Sequence, residues 1–405
     1  MNIPHYIERP LYLNRILPFV GKDIMKVLVG QRRVGKSYML FQLMDRIAEK
    51  NPQGQQIYIN KELHEFSHIQ TADDLIAHVE SRRQIERQLY LFVDEIQDIE
   101  KFENALRSFQ AGGGVDIYCT GSNAKLLSGE LATYLSGRYV EIKLYSLSYP
   151  EFLQFHGLER GREAFNTYLQ FGGLPYLHNL ALEESVVFDY LRNILDAILL
   201  KDIVARYEIR NVHFLQRLTH FLADNVGSLV SARKISDFLK AQQVKVSHNL
   251  VLDYLSHLTS AFLVFRAGRY DIVGKKIFEI GEKYYFEDLG LRHALVGFRG
   301  ADINKILENV VYSNLRAAGY GVLVGRIGER EVDFVCERDG ERLYVQVAYL
   351  IPDDEVRHRE FGNLLAIRDN FPKVVVSMDE VTGGSYEGVR HMHIEDFLFS
   401  EIWKM

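Results

Sequence analysis

Short apolar runs alternate with amphipathic segments over the first third of the chain. The runs are MKVLVG (25–30), QIYIN (56–60), YLFVDE (90–95), VDIYCTG (115–121) and YVEIKLY (139–145). Between them lie segments such as 36–50, whose apolar residues recur every three or four positions. Buried strands that alternate with such helices are typical of a parallel sheet covered by helices. We therefore predict an α/β domain over residues 1–147.

The spacing of apolar residues changes after position 147. Helical periodicity predicts a helical lid or linker over 148–210, interrupted by the turn signal FGGLPYL (171–177). Residues 211–290 show three helical segments and then paired strands, which is the order of a winged helix. Residues 291–405 show a helix and then several strands, which predicts a smaller α/β unit. The predicted fold class is therefore α/β and multidomain.

Length and composition agree with several folded domains. The chain has 405 residues, 47% of them hydrophobic and 25% charged, and a single hydrophobic core rarely serves so long a chain. No leader pattern or membrane-length apolar run is visible, so we predict a cytoplasmic protein without a membrane partner. The two cysteines, Cys119 and Cys336, belong to no CxxC and predict neither a disulfide nor a zinc site.

Charge is distributed unevenly along the chain. The net charge of −6 argues against a protein that wraps nucleic acid through bulk electrostatics. Basic residues nevertheless outnumber acidic ones in the first 50 positions, and the reverse holds from position 301. We therefore expect phosphate groups to bind at the N-terminal end.

The basic end contains GQRRVGKS (30–37), a complete GxxxxGK[ST] motif between a buried strand and a helix. Gly30 and Gly35 let successive N–H groups turn toward phosphates, Lys36 neutralises their charge, and Ser37 ligates Mg²⁺. The motif predicts binding of ATP with Mg²⁺. The predicted nucleotide-binding residues are Gly30, Gln31, Arg32, Arg33, Val34, Gly35, Lys36, Ser37, Tyr38 and Ser122.

A second acidic motif, LYLFVDEIQD (89–98), ends a buried strand with two carboxylates. Asp94 is predicted to hold Mg²⁺ through water, together with Ser37. Glu95 is predicted to orient and deprotonate the attacking water, a role that separates hydrolytic P-loop proteins from kinases. The alternative interpretation makes Glu95 a solvated residue after a strand.

Other polar residues follow the neighbouring strands. Ser122 and Asn123 fall at the same sheet edge and are predicted to contact the γ-phosphate or the water, although turn formation also explains them. Arg138 is a candidate for stabilising transition-state charge, and a surface salt bridge is the alternative. For Arg32 and Arg33 we favour a place on the rim of the site.

Eight motifs occur in the order GQRRVGKS, FVDEIQ, TGSNAKLLSGE, LSGRYVEIKLYSLSYPEF, FGGLP, KDIVARYEI, YYFEDLGLRHAL and EVDFV. With them the chain resembles, over nearly its whole length, a widespread prokaryotic AAA-type ATPase family. The resemblance implies an N-terminal AAA domain and a C-terminal domain of unknown function related to restriction-endonuclease-like folds.

That resemblance implies a nuclease-type pattern, which is only partly present. Glu308 and Asp333 match the helix glutamate and the strand aspartate. The last element, [D/E]xK in the pattern, is here Gln346-Val347-Ala348, so one anionic ligand and the cation are missing. Such a set binds Mg²⁺ poorly, and we predict that the domain has no nuclease activity.

The recognition helix of the predicted winged helix, 244–260, carries one lysine, one aspartate and two histidines. A helix that binds among DNA phosphates usually carries more positive charge than this one lysine provides. His248 and Asn249 are the candidates for reading bases. We favour packing of the winged helix against the ATPase domain, with DNA contact as the alternative.

Three functions remain open at this point. The leading hypothesis is an ATP-driven switch or motor that acts on an unknown protein partner, with a homo-oligomer possible. The second is a DNA-associated regulator that uses ATP occupancy as a signal. The third, a small-molecule kinase, is disfavoured because a water activated by Glu95 would compete with the acceptor.

Overall fold

The computed structural model of the chain describes residues 3–124, 137–241, 246–380 and 384–400. The chain divides into two compact units. The N-terminal unit comprises Met1–Tyr145 with Ser260–Phe262, and the C-terminal unit comprises Ser146–Thr259 with Leu263–Met405. The division falls between Tyr145 and Ser146, two residues before the predicted end of the first domain.

The N-terminal unit is built on a five-stranded parallel sheet. Its strands are β1 (Met25–Val29), β2 (Gln55–Asn60), β3 (Leu89–Asp94), β4 (Val115–Gly121) and β5 (Tyr139–Lys143), in the order β2-β3-β4-β1-β5. All five residues of β1 are buried, and β1 lies between β4 and β5. The predicted parallel sheet is confirmed, because each apolar run is a strand covered by helices.

In the described part of this unit, the α-helices that accompany the sheet are α1 (Pro10–Ile16), α2 (Lys36–Lys50), α3 (Ala72–Glu80) and α4 (Phe102–Gly112). In α2 the predicted apolar face is buried. At the start of α3 the Thr71 hydroxyl accepts from the Asp74 N–H, and the Asp74 carboxylate accepts from the Thr71 N–H. This capping box satisfies two N–H groups that would otherwise lack partners.

The C-terminal unit begins with helices. They are α5 (Tyr149–His156), α6 (Arg162–Phe171), α7 (Glu184–Ala197) with a π-helical extension (Ile198–Ala205), α8 (Val212–Asp224), α9 (Ala232–Ala241), α10 (His248–Ser260), α11 (Leu289–Val296), α12 (Ile303–Ala317), α13 (Asp354–Leu365) and α14 (Ile394–Phe399). The helix predicted over 244–260 begins at His248. Positions 244 and 245 lie outside the described residues.

An eight-stranded sheet forms the second core. Its strands are β6 (Val264–Asp271), β7 (Lys276–Phe286), β8 (Gly321–Ile327), β9 (Arg330–Arg338), β10 (Glu341–Val347), β11 (Lys373–Ser377), β12 (Ser385–Tyr386) and β13 (Val389–His393), in the order β12-β13-β11-β10-β9-β8-β6-β7.

The hairpin β6–β7 was predicted to belong to a winged helix over 211–290, but it lies in the C-terminal sheet. β6 pairs in parallel with β8 through Arg269, Tyr270 and Asp271, so the hairpin belongs to the C-terminal sheet. The domain boundary predicted after residue 290 therefore separates a hairpin from its own sheet. Pairing with β8 satisfies backbone groups that an isolated two-stranded wing leaves open along its edges.

Candidate functional site

The loop 30–35 joins the buried strand β1 to helix α2 at the carboxyl edge of the parallel sheet. Gly35 has a left-handed backbone with φ 94°. A Cβ on Gly30 would lie 2.3 Å from the Leu144 carbonyl oxygen. Both positions therefore require glycine, one for its conformation and one for close backbone approach.

Lys36 lies inside this loop and is only 4% exposed. Its Nζ donates to the carbonyl oxygens of Gly30 and Gln31, each at 3.1 Å. The same ammonium lies 3.7 Å from Glu95 Oε1. The loop thus holds a buried positive charge at the N-terminus of a helix, an arrangement that favours anions.

Asp94, the last residue of β3, is 1% exposed. Thr120 Oγ1 donates to its Oδ1 at 2.5 Å, and the Tyr58 hydroxyl donates to its Oδ2 at 3.2 Å. Burial raises the pKa of the Asp94 carboxyl, and hydrogen bonds from Ser37 and Thr120 partly oppose that shift. Asp94 is therefore fixed in place beside the Ser37 hydroxyl.

Glu95 follows in a left-handed backbone conformation with φ 54° and ψ 52°. Its N–H donates to Thr120 Oγ1 at 3.0 Å, and its Oε2 accepts from Gln97 Nε2 at 2.5 Å. Burial raises the pKa of Glu95, but the charge of Lys36 and the Gln97 hydrogen bond outweigh burial and lower it. The carboxylate is therefore ionised at neutral pH and able to accept a proton.

Three buried polar side chains of the predicted site lie in the loop and after β4. Ser122 and Asn123 are 1% and 2% exposed, and a hydrogen bond from the Ser122 side chain helps to lower the pKa of Glu95. Gln31 is 0% exposed, and both of its amide atoms lack hydrogen-bond partners among the described residues. A buried polar group without a partner costs about 1–3 kcal/mol, so the Gln31 amide indicates a place for a polar ligand.

Three more of the predicted nucleotide-binding residues, Arg32, Arg33 and Tyr38, lie on the rim of the site. Arg32 Nη1 lies 3.3 Å from Glu62 Oε1, and Arg33 is exposed with a φ of 72°. Tyr38 is 46% exposed and contacts the Phe41 ring edge-on. Val34 is instead fully buried.

Arg138 does not join the site, which corrects the prediction for this residue. Its carbonyl oxygen accepts from the Met25 N–H at 2.9 Å, at the amino-terminal edge of the sheet. The length of β1, about 15 Å, separates this edge from the loop at Gly30. Arg138 is exposed and lines a surface pocket with Asn104 and Arg107. It cannot reach a phosphate bound by the loop of the same chain.

Sequence reasoning missed three residues of the site. Thr120 links the Asp94 carboxylate to the Glu95 backbone, and Gln97 binds the Glu95 carboxylate. Arg9, 3% exposed, donates from Nη1 to the Val34 carbonyl at 3.0 Å and from Nη2 to the Tyr145 carbonyl at 2.9 Å. Thr120 and Gln97 lie inside motifs that drew attention to their neighbours, whereas Arg9 lies in no motif.

The C-terminal unit contains a second buried charge cluster. Glu308 and Asp333, the two residues that match the nuclease-type pattern, both lie in this cluster, and its cation comes from Lys283 on β7. Lys283 Nζ lies 2.7 Å from Glu308 Oε1, 2.8 Å from Glu331 Oε1 and 3.8 Å from Asp333 Oδ1. The expectation that this cluster lacks a cation is therefore wrong, because a lysine distant in sequence replaces the one missing at Ala348.

Gln346 and Val347 complete this cluster from β10. Gln346 Oε1 accepts from the Asp333 N–H at 3.3 Å, and the Val347 N–H donates to Asp333 Oδ2 at 2.8 Å. Among the described residues, no group of three or more histidine, cysteine, aspartate or glutamate side chains is arranged to hold a metal ion.

Comparison with known proteins agrees with the geometry of the N-terminal site. Residues 22–153 match the AAA domain family, and residues 162–302 match a domain of unknown function (DUF8612). The N-terminal unit is thus an AAA-type P-loop domain.

Two uncharacterized proteins are similar over most of the chain. One, from Haemophilus influenzae, is 36% identical over 398 residues, which cover 97% of this chain and 98% of the relative. The other, MJ1544 of Methanocaldococcus jannaschii, is 30% identical over 340 residues, which cover 80% and 74%. The chain belongs to the family that contains these proteins.

Solved structures show more distant similarity. The Walker-type ATPase PABY2304 of Pyrococcus abyssi is 14% identical, with a TM-score of 0.49 over 71% of this chain and 95% of that chain. AMPPCP-bound DnaA of Aquifex aeolicus is 15% identical, with a TM-score of 0.31 over 61% and 85%. Both TM-scores are below 0.5. The assignment of the N-terminal unit as an AAA-type P-loop domain therefore rests on the family match and on the geometry of the site. In the described part of the chain, no helix combines the length and apolar character needed to cross a membrane.

Proposed function

We propose that the N-terminal unit binds ATP with Mg²⁺ and hydrolyses it. The observation that carries this proposal is the position of the Glu95 carboxylate, which directly follows Asp94 and lies 3.7 Å from the Lys36 ammonium of the P-loop. A P-loop alone serves many phosphate-transfer reactions. A carboxylate in this position adds a general base for water.

The residues present fit Mg²⁺ and phosphate. The Ser37 hydroxyl and the buried Asp94 carboxylate supply oxygen ligands, which Mg²⁺ prefers, and one carboxylate is sufficient when substrate phosphates provide further oxygens. Mg²⁺ held there neutralises charge on the phosphates. Lys36 and the loop N–H groups bind the β- and γ-phosphates.

Hydrolysis then follows from the placement of Glu95. Its carboxylate accepts a proton from water as the water oxygen bonds to the γ-phosphorus, and the bond between that phosphorus and the bridging oxygen breaks. The products are ADP and inorganic phosphate. Ser122 and Asn123, buried at the end of β4, contact the γ-phosphate or the water.

For the biological role, we propose a nucleotide-driven conformational switch that acts on a protein partner. A DNA-associated role is the second candidate, and one feature favours it. Helices α8, α9 and α10 precede the hairpin β6–β7, and Val230 between α8 and α9 pairs with Glu282 of β7, which is the element order of a winged helix. Lys275 and Lys276 lie at the hairpin turn, where phosphate contact is possible.

Phosphate release from ATP with Mg²⁺ tests the proposed chemistry. Wild type is compared with Lys36→Ala and Glu95→Gln, each with and without duplex DNA. The matched controls are Lys101→Ala and Glu100→Gln, whose side chains are 71% and 72% exposed on the same unit. We expect Lys36→Ala to lose ATP binding and Glu95→Gln to bind ATP without turnover, while both controls behave as wild type.

Three outcomes would change the proposed function. Phosphate release by Glu95→Gln at the wild-type rate contradicts the hydrolytic mechanism. Formation of ADP without free phosphate, only when an acceptor is added, indicates a kinase. Stimulation of turnover by duplex DNA supports the DNA-associated role over the protein-directed switch.

A further inference from the structure

We propose that Gln97 is the positioning residue of the hydrolytic site, holding the Glu95 carboxylate and fixing the water that it deprotonates. The proposal rests on the hydrolysis proposed above and adds to it a residue that no motif role predicts. It follows from three features: the contact between the two side chains, the turn that creates it, and the unpaired end of the Gln97 amide.

The contact itself is short and has a defined direction. Gln97 Nε2 lies 2.5 Å from Glu95 Oε2. An ionised carboxylate only accepts hydrogen bonds, so the amide must present its NH₂ group to Glu95. A hydrogen bond to a charged acceptor is stronger than one between neutral groups, so this contact restricts the carboxylate.

The backbone between the two residues brings the side chains together. Strand β3 ends at Asp94, Glu95 takes a left-handed conformation, and Ile96–Asp98 form a single 3₁₀ turn. A non-glycine residue in that conformation costs about 1–3 kcal/mol unless its surroundings fix it. The Glu95 N–H is fixed on Thr120 Oγ1, so the turn places Gln97 against the carboxylate rather than along the sheet.

The two oxygens of Glu95 have different neighbours. Oε1 faces the Lys36 ammonium at 3.7 Å, and Oε2 accepts from Gln97. In the proposed mechanism the Lys36 ammonium also binds phosphate, so Glu95 shares this positive charge with the nucleotide. The Ser122 side chain also hydrogen-bonds Glu95, but the proposed mechanism assigns Ser122 to the γ-phosphate or the water. Gln97 is therefore the group that holds Oε2 of the base in place throughout the reaction.

The other end of the Gln97 amide completes the arrangement. Its Oε1 is buried and has no hydrogen-bond partner among the described residues. A water beside Glu95 has two hydrogens: the carboxylate accepts the one that is transferred, and Gln97 Oε1 accepts the one that the oxygen keeps. Two acceptors fix the orientation of the water oxygen toward the phosphorus, which one acceptor alone does not.

Steady-state ATP hydrolysis by the full chain tests the proposal with Gln97→Ala and the isosteric Gln97→Glu. We expect kcat to fall about 10- to 100-fold in both variants, as for a misplaced base, with the Kd for ATP and Mg²⁺ changed less than twofold. A fall in kcat at unchanged Kd is the sign of a positioning role, because the Gln97 side chain contacts the base and not the nucleotide.

A double-mutant cycle separates action through Glu95 from a general structural effect. In the Glu95→Gln background, Gln97→Ala should change the residual rate less than twofold, because the group it positions is gone. Gln53→Ala, the same substitution at an exposed turn of the same unit, is the matched control and should match wild type.

Each other outcome overturns the proposal. If Gln97→Ala and Gln97→Glu keep the wild-type kcat while Glu95→Gln is inactive, hydrolysis stands and Gln97 has no positioning role. If the Kd for ATP rises in parallel with the fall in kcat, or if Gln97→Ala lowers the residual rate equally in the Glu95→Gln background, Gln97 acts on folding or nucleotide binding. If Glu95→Gln hydrolyses ATP normally, this proposal and the proposed function both fail.

Discussion

The two units each bury a lysine among carboxylates, but they leave these groups in different states. In the N-terminal unit, Lys36 is bound to two loop carbonyls at 3.1 Å and lies 3.7 Å from Glu95. In the C-terminal unit, Lys283 lies within 2.8 Å of both Glu308 and Glu331.

Unpaired groups make the difference between the two clusters. Beside Glu95, Gln97 Oε1 is buried without a partner among the described residues, and both amide atoms of Gln31 in the P-loop are unpaired as well. Around Glu308, the Tyr285 hydroxyl also donates at 2.5 Å, and Asp333 accepts from a backbone N–H. Unused hydrogen-bonding capacity therefore distinguishes a binding site from a structural ion cluster, although both contain similar residues.

The largest expected effect is on the stability of the C-terminal unit. Lys283→Met leaves three neighbouring carboxylates without their cation, and breaking a buried ion pair from one side costs about 3–5 kcal/mol. Hydrogen exchange of peptides covering Ile303–Ala317 measures the loss in this unit separately from the other. Lys36→Met is the matched comparison. It removes two hydrogen bonds to loop carbonyls and a 3.7 Å contact with a single carboxylate, so the free energy of exchange in β1 and β4 should stay within about 1 kcal/mol of wild type. Equal destabilisation of both units would contradict the distinction.

A smaller effect is expected at Thr120. Thr120→Val removes the donor to Asp94 and the acceptor for the Glu95 N–H, which costs about 1–3 kcal/mol of stability. ATP turnover should fall about tenfold, because the Thr120 hydroxyl no longer holds both the Asp94 carboxylate and the Glu95 backbone in position. Thr120→Ser keeps the hydroxyl and should restore most turnover. Thr219→Val, at a fully buried threonine bonded to a helix carbonyl in the other unit, should leave turnover unchanged.

The contrast between Thr120 and Ser122 shows how far the sequence predicts the site. The strands and the P-loop follow from apolar runs and glycine spacing, because these encode local conformation and burial. Ser122 was a candidate because it follows a strand. Thr120 lies two residues earlier, within the strand, where pattern analysis assigns it to the sheet. Its two hydrogen bonds depend on the register of β3 against β4, which no local pattern contains.

Lys283 and Arg138 show the same limitation over longer distances. Lys283 is on a hairpin that the sequence assigned to a winged helix, and only the pairing of β6 with β8 shows that the hairpin belongs to the sheet of Asp333. Arg138 was a candidate because it precedes a strand. In a parallel sheet, however, the residue before a strand lies at the amino edge, away from the loops that follow the other strands.

The pH dependence of the C-terminal cluster gives a third test. Burial raises the pKa of Asp333 well above its ordinary value of 3.8, and Glu308 adds to the shift, while Lys283 opposes it. A raised pKa contributes stability below the unfolded pKa, near pH 4, and this contribution is lost as the pH rises through the folded pKa. Asp333→Asn, which cannot ionise, should therefore destabilise the unit most near pH 4 and less toward pH 8.

Each pKa unit of the Asp333 shift corresponds to about 1.4 kcal/mol of this difference. Urea denaturation of wild type and Asp333→Asn at pH 4.5, 6 and 7.5 measures it. Asp339→Asn, at a 91% exposed aspartate in the turn between β9 and β10, is the control for pH effects that do not depend on Asp333. A difference that is constant with pH, or that grows as the pH rises, would show that Asp333 is stabilised in its ionised form.

The smallest effect is expected for Arg138→Ala, and it tests whether the N-terminal site is complete within one chain. Because Arg138 is at the opposite edge of the sheet, turnover at nanomolar protein concentration should change less than twofold. Arg87→Ala, at an exposed arginine before β3, is the control at the same edge. A tenfold loss at every protein concentration would contradict the placement of Arg138. A loss that develops only as concentration rises would show that its guanidinium serves the site of a second chain, since a surface arginine reaches another molecule only after association.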